Sequence, residues 1–257
     1  MINLFRKKRA SRLGLIPDKK DERDFIYKAR LPMRELPEST LLKNISRFPW
    51  RYNQGSLGSC VGHGGMAEIY RAALIQNGQP DHAPSPLFGY WIAREDKKND
   101  TGASIRDAFK AMNQFGLCSE KLWPYRPEKF ADTPSPLAFQ EALEHQAIRY
   151  ERIYPVSQGA IMDALSQGYP VTFGMDLYSS FMSKETERTG VVRKPRKCRE
   201  KFLGGHCLLI FDYDPEGVTI LNSWGREWGD GGLCYVSWDH LLDSSLCRDF
   251  WVIYLTE

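Results

Sequence analysis

The chain has 257 residues, of which 42% are hydrophobic and 26% charged, and its formal net charge at pH 7 is +3. This composition excludes disordered and fibrous proteins, and it predicts one globular unit or two lobes folded together. No apolar run approaches the length of a membrane span, and basic residues 6–9 occupy the place of a signal peptide's apolar core, so we expect neither a membrane anchor nor export.

Helix patterns dominate the first half of the chain and strand patterns the second half. The predicted helices cover residues 60–76, 85–97, 104–115, 136–146 and 157–167. The predicted strands cover residues 147–154, 170–177, 206–213, 218–222, 233–238 and 250–255. Helices followed by strands indicate an α+β fold in two lobes.

Glycines and caps refine the helix predictions. Ser104 with Asp107 three residues later is typical of a helix start, and Gly116 of a helix end. The first helix contains several glycines, at positions 62, 64 and 65. Because glycine is a poor helix former, these positions indicate that other parts of the chain pack closely against a buried helix.

The segment from Gln54 to Cys60 carries the strongest chemical signal. A turn of small residues delivers one cysteine to the start of the first predicted helix. Backbone N–H groups at a helix N-terminus favour a thiolate, so Cys60 is a candidate nucleophile. Gln54 is placed to offer its side-chain amide to a developing oxyanion. A buried core thiol is the alternative interpretation of Cys60.

The second half of the chain supplies a base. His206 opens one apolar strand, and Asn222 ends the next one. The turn at residues 214–217 joins the two strands into a hairpin, which brings His206 and Asn222 near each other. An Asn carbonyl that accepts from the imidazole would fix its tautomer, as the third member of a catalytic triad does.

Together these segments resemble the papain-like cysteine peptidases, in the form found in the bacterial and phage branch. The resemblance covers residues 36–257 and implies a helical lobe and an antiparallel, barrel-like sheet lobe with the active site between them. It assigns the nucleophile to Cys60, the base to His206, the orienting residue to Asn222 and the oxyanion-hole amide to Gln54.

The resemblance also implies a set of substrate contacts. The backbone of Gly102 and Ala103 matches the family's docking edge for the peptide chain, and Trp224 matches the tryptophan that shields the histidine from water. Further expected substrate contacts are Phe173, Gly174 and Gly205. Two departures concern cysteines of the family, because Leu57 stands at a place usually held by a disulfide cysteine and the loop at Gly102 lacks its usual cysteine.

The positive charge of the chain belongs to its N-terminus. Residues 1–35 contain 11 Lys and Arg against 5 Asp and Glu, whereas the remainder carries a net charge of −3. One interpretation is a solvated tail, and the other is a short pro-segment or arm that packs on the body and inhibits it. The second basic stretch, residues 193–201, is interpreted as an exposed loop, and we do not expect nucleic-acid binding.

Neither the cysteines nor the histidines indicate a metal site. The six cysteines form no metal-like pair, and His63, one helical turn after Cys60, is a rival base that we interpret as structural. We expect no cofactor, a protein or peptide substrate, a monomer, and a cytoplasmic location that keeps Cys60 reduced. The predicted function is hydrolysis of peptide bonds by a cysteine endopeptidase. The alternatives are an acyltransferase or deamidase that acts on protein side chains, and a catalytically silent binding module.

Overall fold

The computed structural model describes residues 13–39, 50–146 and 149–255. Its helices are α1 (Cys60–Gly62), α2 (Ile69–Gln76), α3 (Pro86–Ala93), α4 (Ile105–Phe115), α5 (Pro136–Leu143), α6 (Gln158–Ser166), α7 (Lys184–Thr189) and α8 (Trp238–Leu241). A π-helical segment, His63–Glu68, joins α1 to α2, so residues 60–76 form one continuous helical run as predicted. Short 3-10 turns lie at Met33–Glu35, Pro127–Lys129 and Ser179–Met182.

The strands are β1 (Arg149–Arg152), β2 (Val171–Tyr178), β3 (Val191–Val192), β4 (Phe202–Tyr213), β5 (Gly217–Leu221), β6 (Leu233–Ser237) and β7 (Cys247–Tyr254). They form one open sheet in the order β1-β7-β2-β4-β5-β6-β3. All pairs are antiparallel except β3 with β6. The α+β prediction is therefore confirmed. The predicted hairpin is β4–β5, closed by a hydrogen bond from Asp214 N to Gly217 O of 3.0 Å.

Local capping explains where two helices begin and end. The Ser104 hydroxyl accepts from Asp107 N at 3.1 Å and starts α4, as its sequence predicts. The predicted helix over residues 85–97 ends early, at Ala93. Lys97 caps this end of α3, because its Nζ donates to the carbonyls of Trp91 and Ile92 at 2.7 and 3.1 Å.

The helical run at residues 60–76 lies between the two lobes. A Cβ on Gly62 would stand 2.7 Å from Tyr90 Cβ of α3, and one on Gly65 would stand 3.3 Å from Cys207 Sγ of β4. The close packing predicted from the glycines is thus confirmed on both sides of the run. One apolar cluster fills the helical lobe and a second, around Phe173 and Phe250, fills the sheet lobe.

Residues 13–35, here called the arm, run across the body of the molecule. Leu15 pairs with Ala103 of the helical lobe, and Ile26 pairs with Arg152 of β1, both in parallel bridges. The first part of the arm therefore lies between the lobes and the later part lies along the outer strand of the sheet. Of the helices in the described residues, none combines the length and the apolar character needed to cross a bilayer.

Candidate active site

The turn before α1 places Cys60 at the interface between the lobes. Its thiol is completely buried, and Ser59 is the residue before the helix. The Gln54 side chain closes the turn, because its Nε2 donates to the Leu57 carbonyl at 2.8 Å. The turn therefore holds the thiol and the Gln54 amide on one rigid piece of chain.

Gln54 is held from the sheet lobe as well. Its backbone N donates to Ser223 O at 2.9 Å, and its Oε1 accepts from the Ser223 hydroxyl at 2.7 Å. These two bonds fix which way the amide points, so that Oε1 faces Ser223 and Nε2 faces the nucleophile turn. The sequence did not single out Ser223, although its place directly after Asn222 was a signal for this role.

His206 and Asn222 meet as the hairpin predicted. His206 Nε2 lies 2.8 Å from Asn222 Oδ1, and both side chains are completely buried. The ring of Trp224 packs on the imidazole with centroids 5.0 Å apart, and Phe181 contacts both rings. His206 Nδ1 has no hydrogen-bond partner among the described residues, so this nitrogen is the one available to a thiol.

Burial controls the charge of both reactive groups. It raises the pKa of the Cys60 thiol, while backbone N–H groups of Cys207 and Gly14 directed at the sulfur oppose the rise. Burial also lowers the pKa of His206 to about 4, against the hydrogen bond that its Nε2 donates to Asn222 Oδ1, which raises it. In this conformation burial favours the neutral form of both the Cys60 thiol and the His206 imidazole.

Known proteins match this chain throughout its length. The model of the papain family of cysteine proteases matches residues 50–241. The chain belongs to the papain family of cysteine proteases. A peptidase C1-like protein of Acanthamoeba polyphaga mimivirus is 33% identical over 252 residues, which cover 92% of this chain and 80% of the relative. A cathepsin B-like protein of Giardia intestinalis is 27% identical over 195 residues, or 72% of this chain and 63% of the relative.

Solved structures agree with this family. Xylellain, a cysteine protease from Xylella fastidiosa, superposes with a TM-score of 0.87 at 28% identity and covers 99% of this chain and 100% of its own. A procathepsin L2 of Tenebrio molitor has a TM-score of 0.74 at 20% identity, covers 99% of this chain and 83% of its own, and shows the fold alone. The likeness to a bacterial protease and a viral relative fits the branch that the sequence indicated.

The cleft of this protease is occupied by its own arm. Residues 13–16, the cleft stretch, lie in extended form between the lobes. Ala103 N donates to Gly14 O and Ile16 N donates to Ala103 O, both at 2.9 Å. From the sheet lobe, Gly205 O accepts from Leu15 N at 3.2 Å. The backbone edges expected to bind a peptide thus bind the arm.

Leu15 fills a pocket between Gly174 and Gly205. A Cβ on Gly174 would stand 2.4 Å from Leu15 Cδ2, and one on Gly205 would stand 3.3 Å from Leu15 Cβ. The sequence reasoning missed Leu15, since nothing local marks its destination. It also expected Phe173 to line this pocket, but neighbouring residues of a strand face opposite sides, and Phe173 stacks on Phe250 inside the sheet lobe.

Gly14 is the residue of the arm that lies beside the nucleophile turn. Its backbone N–H opposes the rise that burial causes in the pKa of the Cys60 thiol. Gly14 lies tightly against this turn, since a Cβ on it would stand 1.8 Å from Gly58 O. The cleft stretch therefore leaves no room for a larger residue at position 14.

Residues 18–31, the anchor stretch, hold the arm to the outside of the body through buried carboxylates. Asp24 forms an ion pair with Arg106 of α4, in which Nε lies 2.8 Å from Oδ1 and both side chains are almost completely buried. Asp18 accepts from Arg106 N and from Trp251 Nε1 at 3.0 and 2.8 Å. Asp163 of α6 binds the other end, accepting from Arg30 N at 3.0 Å.

The remaining candidates are structural. His63 packs edge-on against Tyr125 and places Nδ1 2.9 Å from Ser59 O, and burial lowers its pKa to about 4. In the basic stretch, Lys194 pairs with Asp243 at 3.1 Å and Lys197 donates to Ser245 O at 2.8 Å. The described residues contain no cluster of His, Cys, Asp and Glu that could hold a metal ion.

Proposed function

We propose that this protease hydrolyses peptide bonds within protein chains through a Cys60–His206–Asn222 triad. The 2.8 Å contact of His206 Nε2 with Asn222 Oδ1 carries the proposal, because it leaves Nδ1 for the nucleophile and orients the ring toward the interface that holds Cys60. In the open cleft, Cys60 would transfer its proton to His206, and water would relieve the burial that keeps both groups neutral.

The reaction would follow two acyl-transfer steps. The Cys60 thiolate attacks the peptide carbonyl, and the oxyanion accepts hydrogen bonds from Cys60 N and Gln54 Nε2. An amide nitrogen carries two hydrogens, so Gln54 Nε2 can donate to Leu57 O and to the oxyanion in one geometry. The His206 imidazolium protonates the departing amine, and the thioester is hydrolysed by a water that His206 deprotonates.

The path of the arm supports cleavage inside a chain. The cleft stretch continues past the thiol in both directions, with Leu13 next to Gly204 on one side and Ile16 bonded to Ala103 on the other. A cleft that accepts an extended segment on both sides of the nucleophile fits an endopeptidase. The pocket that holds Leu15 favours substrates with an aliphatic side chain at the matching position.

The position of the arm in the cleft also supports the proposal that the enzyme exists in a latent form. It excludes substrate from the docking edge, and it keeps Cys60 and His206 buried and neutral. Activity would then require the arm to leave the cleft. The six cysteines are all free thiols, which fits an enzyme that works in a reducing compartment such as the cytoplasm.

Labelling with an epoxide inhibitor of papain-like enzymes, read by intact mass, tests the catalytic assignment. The test uses full-length Leu15→Asp, a variant chosen to free the cleft of the arm. We expect one adduct on this protein and none once Cys60→Ala is added. Cys198→Ser in the same background is the matched control, because Cys198 is an exposed thiol away from the site and its loss should leave the adduct in place. Removing Cys60 should also abolish peptide hydrolysis, and a Leu15→Asp, Cys60→Ala protein that retained the Leu15→Asp rate would refute the mechanism.

A further inference from the structure

A chain of hydrogen bonds joins the nucleophile turn to the loop that docks the peptide backbone. Both oxygens of Asp100 lie 3.1 Å from Gly58 N, two residues before the nucleophile. The Tyr90 hydroxyl donates to Asp100 Oδ1 at 2.5 Å and accepts from Gly102 N at 3.0 Å. We call these four residues the Asp100 clamp. Its two ends are the two loops that enclose a bound peptide.

The centre of the clamp is rigid. Tyr90 lies in α3 and is completely buried, and the Arg94 guanidinium packs 4.3 Å from the centre of its ring. Burial, together with the Asp100 carboxylate, raises the pKa of Tyr90, so the hydroxyl remains a proton donor. Tyr90 also packs closely against α1 at the start of its side chain, where a Cβ on Gly62 would stand 2.7 Å from Tyr90 Cβ. Both loops are therefore hydrogen-bonded to one fixed helix, the Gly102 loop directly through Tyr90 and the Gly58 turn through Asp100.

The clamp sets the width of the cleft at the thiol. Gly14 of the arm lies between the two clamped loops. A Cβ on Gly14 would stand 1.8 Å from Gly58 O, and a Cβ on Gly102 would stand 2.1 Å from Gly14 O. A peptide backbone therefore fits there only while Gly58 and Gly102 keep their separation. The same separation fixes the distance from the docking edge at Ala103 to the sulfur of Cys60.

We propose that Asp100 is a positioning residue for catalysis, which aligns a peptide held on Ala103 with the Cys60 thiol by tying the two loops together. This inference rests on the proposed peptidase function. The family usually has a disulfide cysteine at the place of Leu57 and a cysteine in the loop at Gly102, and this chain lacks both. Hydrogen bonds of a carboxylate and a buried tyrosine make the connection here, so the alignment needs no oxidised cysteine.

Hydrogen exchange on the full chain tests the clamp without reference to activity. In Asp100→Ala we expect faster exchange of the Gly58 amide, which loses its acceptor, and of the Ala103 amide, which bonds the arm across the loosened cleft. Glu95→Ala is the matched control, because Glu95 is an exposed carboxylate in the same loop. Unchanged exchange at both amides in Asp100→Ala would overturn the proposal.

Kinetics in a full-length Leu15→Asp background, chosen to free the cleft, test the catalytic consequence. Asp100→Ala should lower kcat/KM for a peptide substrate by about 10-fold to 10²-fold, as expected for a small misplacement of the reacting carbonyl. The rate of Cys60 alkylation by iodoacetamide, which needs no docking edge, should stay unchanged. Asp100→Asn keeps the shape and one acceptor oxygen, so it should fall between Ala and the parent.

Hydrogen exchange and the kinetic comparison distinguish a failure of the positioning role of Asp100 from a failure of the proposed peptidase function. Equal losses of peptide hydrolysis and alkylation in Asp100→Ala would reduce Asp100 to a structural residue and refute the positioning role. A Leu15→Asp protein that alkylates at Cys60 but hydrolyses no peptide would refute the peptidase proposal, and the hydrogen-exchange result would still decide the clamp. If Asp100→Ala does not fold, Asp100→Asn and Tyr90→Phe carry the same comparison.

Discussion

The two stretches of the arm bind the body by different physical means. The cleft stretch, residues 13–16, uses backbone hydrogen bonds to Ala103 and Gly205 and one apolar side chain, Leu15. The anchor stretch, residues 18–31, uses carboxylates that meet buried partners such as Arg106 and Trp251. Contacts of the first kind could be made by many peptides, whereas those of the second kind are specific to this chain.

The cleft stretch therefore occupies the cleft, whereas the anchor stretch attaches the arm to the body. The cleft stretch occupies the backbone edges at Ala103 and Gly205 and the pocket at Gly174, which the proposed function assigns to substrate. The anchor stretch raises the effective concentration of the cleft stretch, because it holds that peptide beside the cleft. The division predicts that changes in the two stretches alter Cys60 accessibility by different amounts and with different pH dependence.

The largest effect is expected from Leu15→Asp, which removes the apolar side chain that holds the arm in the cleft. Leu15 is only 8% exposed, and its burial contributes about 1.5–3 kcal/mol, all of which is lost when a carboxylate must enter an apolar pocket. The rate of epoxide labelling at Cys60 should rise by on the order of 10-fold to 10²-fold. Ile16→Asp, at a side chain 45% exposed, is the control and should label like the parent.

A smaller effect is expected from Asp24→Ala, which removes the ion pair between the anchor stretch and Arg106. Removal of one partner of a buried ion pair costs about 3–5 kcal/mol while the other stays buried, but Arg106 regains water as the anchor stretch lifts. Trypsin should therefore cut the arm faster at Arg23 and Lys28. Labelling of Cys60 should rise less than in Leu15→Asp, because residues 13–16 keep their contacts.

The matched control for attachment is Glu22→Ala. The Glu22 side chain lies in the same stretch but is 88% exposed, so its loss should leave both proteolysis and labelling at the parent values. If Asp24→Ala opened the cleft as fully as Leu15→Asp, the two stretches would act as one unit and the division between them would be wrong.

The smallest effect is a pH dependence carried by Asp18. Burial, and then the neighbouring Asp249 carboxylate, raise the pKa of Asp18 to about 6, from 3.8 for an exposed carboxyl. The docked arm thus binds more protons than the released arm between these values, so docking through Asp18 strengthens as pH falls and weakens as pH rises through 6. Asp18→Asn stays neutral throughout.

We therefore expect Asp18→Asn to label more slowly than the parent at pH 8 and at nearly the parent rate at pH 5. The ratio of the two rates is the measurement, because Cys60 and His206 titrate alike in both proteins and cancel. A ratio that is constant from pH 5 to pH 8 would show that Asp18 does not titrate with docking.

The groups that we propose as catalytic could be selected from the sequence because their signals are local. Cys60 comes directly after a turn of small residues. The His206–Asn222 contact results from a hairpin whose turn, residues 214–217, can be recognised in the sequence. Gln54 was found through its distance from Cys60. The cap at Ser104 was found for the same reason, since a cap bond spans only three residues.

The arm and the clamp could not be found in this way, because their partners are distant in sequence. Asp24 meets Arg106 82 positions later, and Gly58 meets Asp100 42 positions later. The error at Phe173 has another cause, which is that a strand buried on both faces shows no alternation to tell one face from the other. A segment that packs on the body was one of two interpretations of the basic N-terminus, and the contacts of residues 13–31 show that packing, while inhibition stays a prediction.

The pairing of the arm with β1 has a consequence for the open enzyme. Tyr27 N donates to Arg152 O at 2.8 Å and Arg152 N donates to Phe25 O at 2.7 Å, so the arm covers the outer side of a terminal strand. When the whole arm leaves, that strand presents unpaired backbone groups, which are a template for aggregation with other chains. Activation that frees only residues 13–16 would keep this edge covered, and the protease would gain its substrate without losing its solubility.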